Sequence, residues 1–98
     1  MDDQVIAYRG IIRGRVQDVF FRAETRQQAR RLQLSGWVRN TAQGHVEVLL
    51  CGSGADIREM IEWLHQGPAL AKVDAVDLQE IPYPNLTSFQ IITESDVL

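Results

Sequence analysis

The feature that most constrains this chain is the order in which its hydrophobic period changes. Val5 to Arg13 alternates, with Tyr8, Gly10 and Ile12 on one face and Ala7, Arg9 and Ile11 on the other; its β-branched content favours a strand. From Phe21 the period lengthens. Phe21, Thr25, Ala29 and Leu32 recur at helical spacing with Arg, Gln and Glu between them, and Ser35-Gly36 is the expected stop near Leu34. Trp37 to Asn40 and His45 to Cys51 read as strands around the turn Thr41-Ala42-Gln43-Gly44, with Val46, Val48 and Leu50 inward. Ser53 is placed to cap a second helix, with Asp56 three residues on as its capping-box partner. Ile57, Met60, Ile61 and Leu64 form the apolar stripe of that helix, and Gly67-Pro68 stops it. Ala71 to Leu78 predicts a fourth strand, interrupted enough to lie at an edge or carry a bulge. After a Pro82 to Asn85 loop, Ser88 to Thr93 is a short last strand with Phe89 and Ile91 inward.

The order is strand, helix, strand, strand, helix, strand, with one short strand added. Two right-handed strand-helix-strand units place both helices on one face of an antiparallel sheet, a ferredoxin-like β-α-β-β-α-β sandwich of the α/β (α+β) class. A chain of 98 residues supports one core, and no repeat, linker or low-complexity stretch divides it, so a single domain over 1–98 is expected. This fold hosts metal carriers, RNA binders and enzymes, and does not decide function.

No apolar run approaches the roughly 20 residues of a membrane helix. Met1-Asp2-Asp3-Gln4 is acidic and leads into no long apolar segment, so neither a signal peptide nor membrane association is expected. Cys51 is the only cysteine, which excludes an internal disulfide and a cysteine-based zinc cluster and fits a cytoplasmic, reducing setting. The net charge of −3 argues against a general nucleic-acid binder. Its distribution is polar: residues 1–49 carry eight Arg against five acids, whereas residues 50–98 carry Arg58 and Lys72 against eight acids. A small anion would be drawn to the first half.

The loop Gly14-Arg15-Val16-Gln17-Asp18-Val19-Phe20 runs from a strand end into a helix N-terminus. Unsatisfied N–H groups and the helix dipole make such a place an anion site. Arg22, in the first helical turn, is a cation at the wrong end of a dipole unless an anion lies nearby, and its planar guanidinium can grip two phosphate oxygens. Set against this, Arg22 could point to solvent or pair with Glu24 or Glu47. Arg39 and Asn40 close the second strand; Asn40 is either a turn former or a ligand for water or substrate. His45 and His65 have no carboxylate spacing that suggests a metal, and surface or structural roles suit them. Trp37 and Trp63 read as core or partly covered surface, Gly52-Ser53-Gly54 as a cap, and the stripe Arg22, Arg26, Arg30 as mostly solvated. No Ser/His/Asp set, paired catalytic carboxylates, Walker loop or C-x-x-C motif is present.

Gly14-Arg15-Val16-Gln17-Asp18-Val19-Phe20-Phe21-Arg22 resembles the acylphosphatase signature G-x-V-Q-G-V-x-F-R, and Gly36-Trp37-Val38-Arg39-Asn40 resembles that family's second motif, G-x-V-x-N. Gly44 to Val48, Gly67-Pro68 and Ala71-Lys72-Val73 also fall where the family has similar segments, so the resemblance spans nearly the whole chain. It implies hydrolysis of acyl phosphates to carboxylate and inorganic phosphate by in-line attack of a positioned water. No cofactor, metal or covalent intermediate is needed. Arg22 matches the family's phosphate-binding arginine and Asn40 its water-positioning asparagine. The phosphate is expected on Arg22 and on the loop formed by Arg15, Val16, Gln17, Asp18, Val19, Phe20 and Phe21. Asp18 stands where the signature has glycine, and that departure carries the alternative of a phosphate-binding domain with weak or no turnover. A third reading, a ferredoxin-like module for RNA or metal, lacks the aromatic pair or cysteines it would need. The expected partner is an acyl phosphate or inorganic phosphate, with no nucleic acid, and the expected state is a monomer.

Overall fold

A computed structural model describes residues 4–93; residues 1–3 and 94–98, including the acidic Asp2 and Asp3, lie outside the described residues. Seven elements follow in order: β1 (Val5–Arg15), α1 (Phe21–Arg31), β2 (Ser35–Asn40), β3 (Val46–Ser53), α2 (Gly54–Gln66), β4 (Lys72–Ile81) and β5 (Phe89–Ile92). The strands form one sheet in the order β4-β1-β3-β2-β5. The first four pair antiparallel, whereas β5 runs parallel to β2, so the sheet is mixed rather than purely antiparallel. The reason is where the chain leaves β4. Ile81 lies opposite Ala7, at the same end of the sheet as Gly36, so a segment crossing from there re-enters beside β2 in β2's own direction.

Both helices pack on one face. Ile12, Val38, Val46, Val48, Leu50 and Phe89 of the sheet meet Phe21 and Ala29 of α1 and Ile57, Met60 and Leu64 of α2, all buried. The expected inward residues of β3 are therefore inward, but the strand is also covered on its other side. Ala7, Leu49 and Cys51 are buried there beneath Trp37, Ile81 and Leu86, the last supplied by the crossing segment. Glu47 is buried on that side as well, and both its oxygens are held: Oε2 by Arg9 Nε at 2.7 Å and Oε1 by Arg39 at 2.6 Å. A buried carboxylate is tolerable only when paired in this way.

One expectation about α1 is corrected. Its stop is not Ser35-Gly36, which already belong to β2. Gln33 takes the left-handed conformation, φ 58°, and the N–H groups of Gln33 and Leu34 close on the carbonyls of Arg30 and Ala29, a complete Schellman motif built without glycine. Gly36 is needed for a different reason: at φ 133° a Cβ would collide with the Leu49 carbonyl oxygen of β3. In the arginine stripe Arg30 is exposed and Arg22 and Arg26 are half-buried. Arg30 donates to the Phe89 carbonyl at 3.0 Å, tying β5 to the helix, while Arg31 pairs with Glu59 of α2 at 2.7 Å.

The second helix is capped as expected, with Ser53 Oγ accepting from the Asp56 N–H and Gly67 at the C-cap, while the Asp56 carboxylate accepts from the Ser53 hydroxyl at 2.9 Å. The fourth strand is an edge with an irregularity: Arg13 faces Ala75 and Gly14 faces Val73, leaving Asp74 bulged.

Candidate active site

The end of the sheet that carries Gly14, Asn40 and Ile92 is where the chemistry gathers. β1 ends at Arg15, and five residues bring the chain to α1. Asp18 and Phe20 in that stretch have positive φ, 60° and 65°, whereas Val19 between them does not. Left-handed residues alternating with others are the backbone pattern of an anion-binding nest, and the stretch is called the nest below. None of the N–H groups of residues 17–22 finds a protein acceptor among the described residues, and Phe20, the N-cap of α1, supplies no side-chain cap. Asp is among the residues that tolerate the left-handed conformation, whereas nothing in the sequence signals a left-handed Phe20, because aromatic residues rarely adopt it.

The side chains of the loop divide in two directions. Val16, Val19 and Phe21 are buried and anchor it in the core, Phe21 packing on Trp63 with ring centroids 5.9 Å apart. Gln17 turns toward the β2–β3 turn, its Nε2 donating to the carbonyls of Thr41 at 2.9 Å and His45 at 2.8 Å. The Gln17 side chain is thus a clamp between the loop and the segment that follows Asn40, and only its backbone N–H is left for the phosphate expected on the loop. The backbone of His45 belongs to that same turn, its N–H donating to Thr41 Oγ1 at 3.1 Å.

Val16, Asp18, Phe20, Phe21, Arg22, Ala23, Asn40, Ile91 and Thr93 line one open cleft of about 470 Å³. The structure therefore brings Arg22 and Asn40 together with the nest, although 17 residues separate them in sequence and they lie on different elements. Arg15 is not among the lining residues; it is exposed at the end of β1, opposite Lys72. Arg22 makes no hydrogen bond or ion pair among the described residues, and Glu47 is committed to Arg9 and Arg39. Asn40 Oδ1 is buried without a protein partner. Leaving such an acceptor unfilled costs about 1–3 kcal/mol, so this atom is suited to a donor that comes from solvent or substrate. The half-covered Arg22 guanidinium, loop residues whose N–H groups have no protein acceptor, and this Asn40 acceptor thus lie around one cleft.

An acylphosphatase family model matches residues 8–91. The chain is 45% identical to an acylphosphatase of Colwellia psychrerythraea over 86 residues, which is 88% of this chain and 97% of the relative. Two solved structures resemble it closely. An acylphosphatase from Coxiella burnetii superimposes with a TM-score of 0.87 at 38% identity, covering 90% of this chain and 93% of its own. One from Bacillus subtilis gives 0.87 at 32% identity, covering 89% and 98%. No helix among the described residues is long and apolar enough to cross a membrane.

Proposed function

Because the chain belongs to the acylphosphatase family and hydrolyses the carboxyl–phosphate bond of acyl phosphates, we infer that the 14–22 loop, Arg22 and Asn40 are the apparatus with which it does so. The observation that carries this reading is the single cleft that holds Arg22, the nest and the unpartnered Asn40 Oδ1.

The chemistry asks little of the protein. The leaving group is a carboxylate whose conjugate acid has a pKa of about 4, so it departs without a general acid. What remains is to hold the phosphoryl group and to aim a water. Arg22 takes two phosphoryl oxygens through its planar fork, and the nest amides take the others, distributing the charge that moves onto them. Asn40 Oδ1 accepts a hydrogen bond from the attacking water and sets its line of approach. The water oxygen bonds to phosphorus, the bond from phosphorus to the acyl oxygen breaks, and the carboxylate leaves with the electron pair. The water's proton passes to a phosphoryl oxygen of the substrate, so the products are carboxylate and inorganic phosphate. A metal and a covalent intermediate are not needed in this scheme. Gln17 acts at one remove, fixing the loop against the turn after Asn40. Arg15 adds positive field from outside the cleft. A single domain acting as a monomer in a reducing cytoplasm, with Cys51 a free buried thiol, completes the proposal.

The test separates the two roles. Asn40→Ala should lose turnover of benzoyl phosphate by at least a hundred-fold while inorganic phosphate still inhibits the residual activity competitively at nearly the wild-type concentration. Arg22→Ala should lose both. A large fall in phosphate affinity in Asn40→Ala, with unchanged circular dichroism, would show that the roles are wrongly assigned.

A further inference from the structure

The phosphate half of the cleft accounts for Arg22, Asn40 and the nest, but not for Phe20. This residue breaks three local rules at once. It is an aromatic residue at φ 65°, ψ 19°, a conformation that L side chains other than Asn and Asp seldom take. It occupies an N-cap, where Ser, Thr, Asp and Asn are preferred and a side chain normally accepts a hydrogen bond. Its side chain is 69% exposed. Its neighbour Phe21 is 1% exposed in the core, so the outward turn of Phe20 is not forced by a lack of apolar surroundings nearby. Local rules are broken together most often where function demands it.

The ring does not stand alone on the surface. Phe20 lines the same cleft as Arg22 and Asn40, and Ile91 of β5 lines it too. The cleft's volume of about 470 Å³ lies within the range of pockets that enclose whole organic ligands, well beyond what a phosphoryl group with a two-carbon acyl chain occupies. We propose that Phe20 and Ile91 form the subsite for the acyl group, and that this subsite favours acyl phosphates with an aromatic or other flat apolar acyl portion over acetyl phosphate. The proposal rests on the assignment of the phosphate to the Arg22 side of the cleft. The left-handed backbone at Phe20 then does two things: it turns an amide inward to the phosphate and the ring outward to the acyl group. An aromatic acyl group on the Phe20 face gains ring packing and removes apolar surface of both partners from water, whereas a methyl group reaches little of it.

The experiment is the ratio of kcat/KM for benzoyl phosphate to that for acetyl phosphate in the wild type, Phe20→Ala and Phe20→Tyr. A ratio cancels any general loss from altered loop packing, because both substrates share the phosphoryl chemistry. The expected result is a fall of about ten-fold in the ratio for Phe20→Ala and retention within about two-fold for Phe20→Tyr, with the inhibition constant for inorganic phosphate as a readout of the phosphate half. An unchanged ratio in Phe20→Ala overturns the subsite, even if both rates fall together. Hydrolysis of neither substrate by the wild type would instead sink the functional reading on which the subsite stands.

Discussion

Replacing Asp18 tests the electrostatics of the cleft most directly. Asp18 stands where the family signature has glycine, it lines the cleft, it is exposed, and its carboxylate has no ion pair among the described residues. Two separate costs attach to it. The first is charge. At roughly 5 Å from a phosphoryl oxygen, one like charge costs about 3 kcal/mol at an effective dielectric of 20 and about 1 kcal/mol at that of water. An exposed side chain is governed by the lower figure, which corresponds to about five-fold in kcat/KM. The second is backbone strain, about 1 kcal/mol for an L residue at φ 60°. Strain is present whether or not substrate is bound, so it bears on stability and not on the rate. Asp18→Asn and Asp18→Gly should therefore both raise kcat/KM on acetyl phosphate about three- to ten-fold at low salt, and the gain should shrink as salt is added. Only Asp18→Gly relieves the strain, and the larger unfolded ensemble of glycine offsets that relief, leaving its unfolding free energy within about 1 kcal/mol of the wild type. The assay is steady-state kinetics of the three proteins at two ionic strengths. If neither variant is faster at low salt, the carboxylate does not act on the phosphate and the charge argument fails.

Three further outcomes follow from the same structure. Inorganic phosphate should raise the thermal midpoint of the wild type and do so far less in Arg22→Ala, because the unpaired guanidinium and the nest share one anion; equal stabilisation of both would refute that site. Gln17→Ala removes two hydrogen bonds and should cost about 1–2 kcal/mol by chemical denaturation. It should lower kcat more than phosphate affinity, since it loosens Asn40's segment against the loop; unchanged kcat in a destabilised protein would make Gln17 structural only. Burial raises the thiol of Cys51 above its ordinary value, opposed in part by a hydrogen bond with Ser35. The native state then keeps a proton that the unfolded chain releases from about pH 8.5, so this contribution to stability is complete below that pH and is lost as pH rises toward the folded value. Denaturation midpoints should fall more steeply above pH 9 in the wild type than in Cys51→Ala, and parallel slopes would contradict it.

The sequence alone determined the order of elements, the helix-facing core and the identity of the two motifs. These depend on local periodicity and on residue types at fixed short spacings: Val46, Val48 and Leu50 alternate because a strand alternates, and Ser53 caps because its hydroxyl needs only the next turn. Tertiary structure decided what depends on partners distant in the chain. Glu47 is a buried pair of ion contacts because β1 and β2 flank β3, and nothing near Glu47 in sequence announces Arg9. The Gln17 side chain shows no role in the sequence until the turn after Asn40 arrives beside it with two carbonyls that accept from it. β5 runs parallel because the crossing segment re-enters at the end of the sheet where β4 stops, a consequence of strand placement and not of the residues in β5. Phe20 is left-handed against its own propensity because the buried Val19 and Phe21 on either side of it fix the chain's path. That override of a local preference by packing on both flanks is what shapes the cleft.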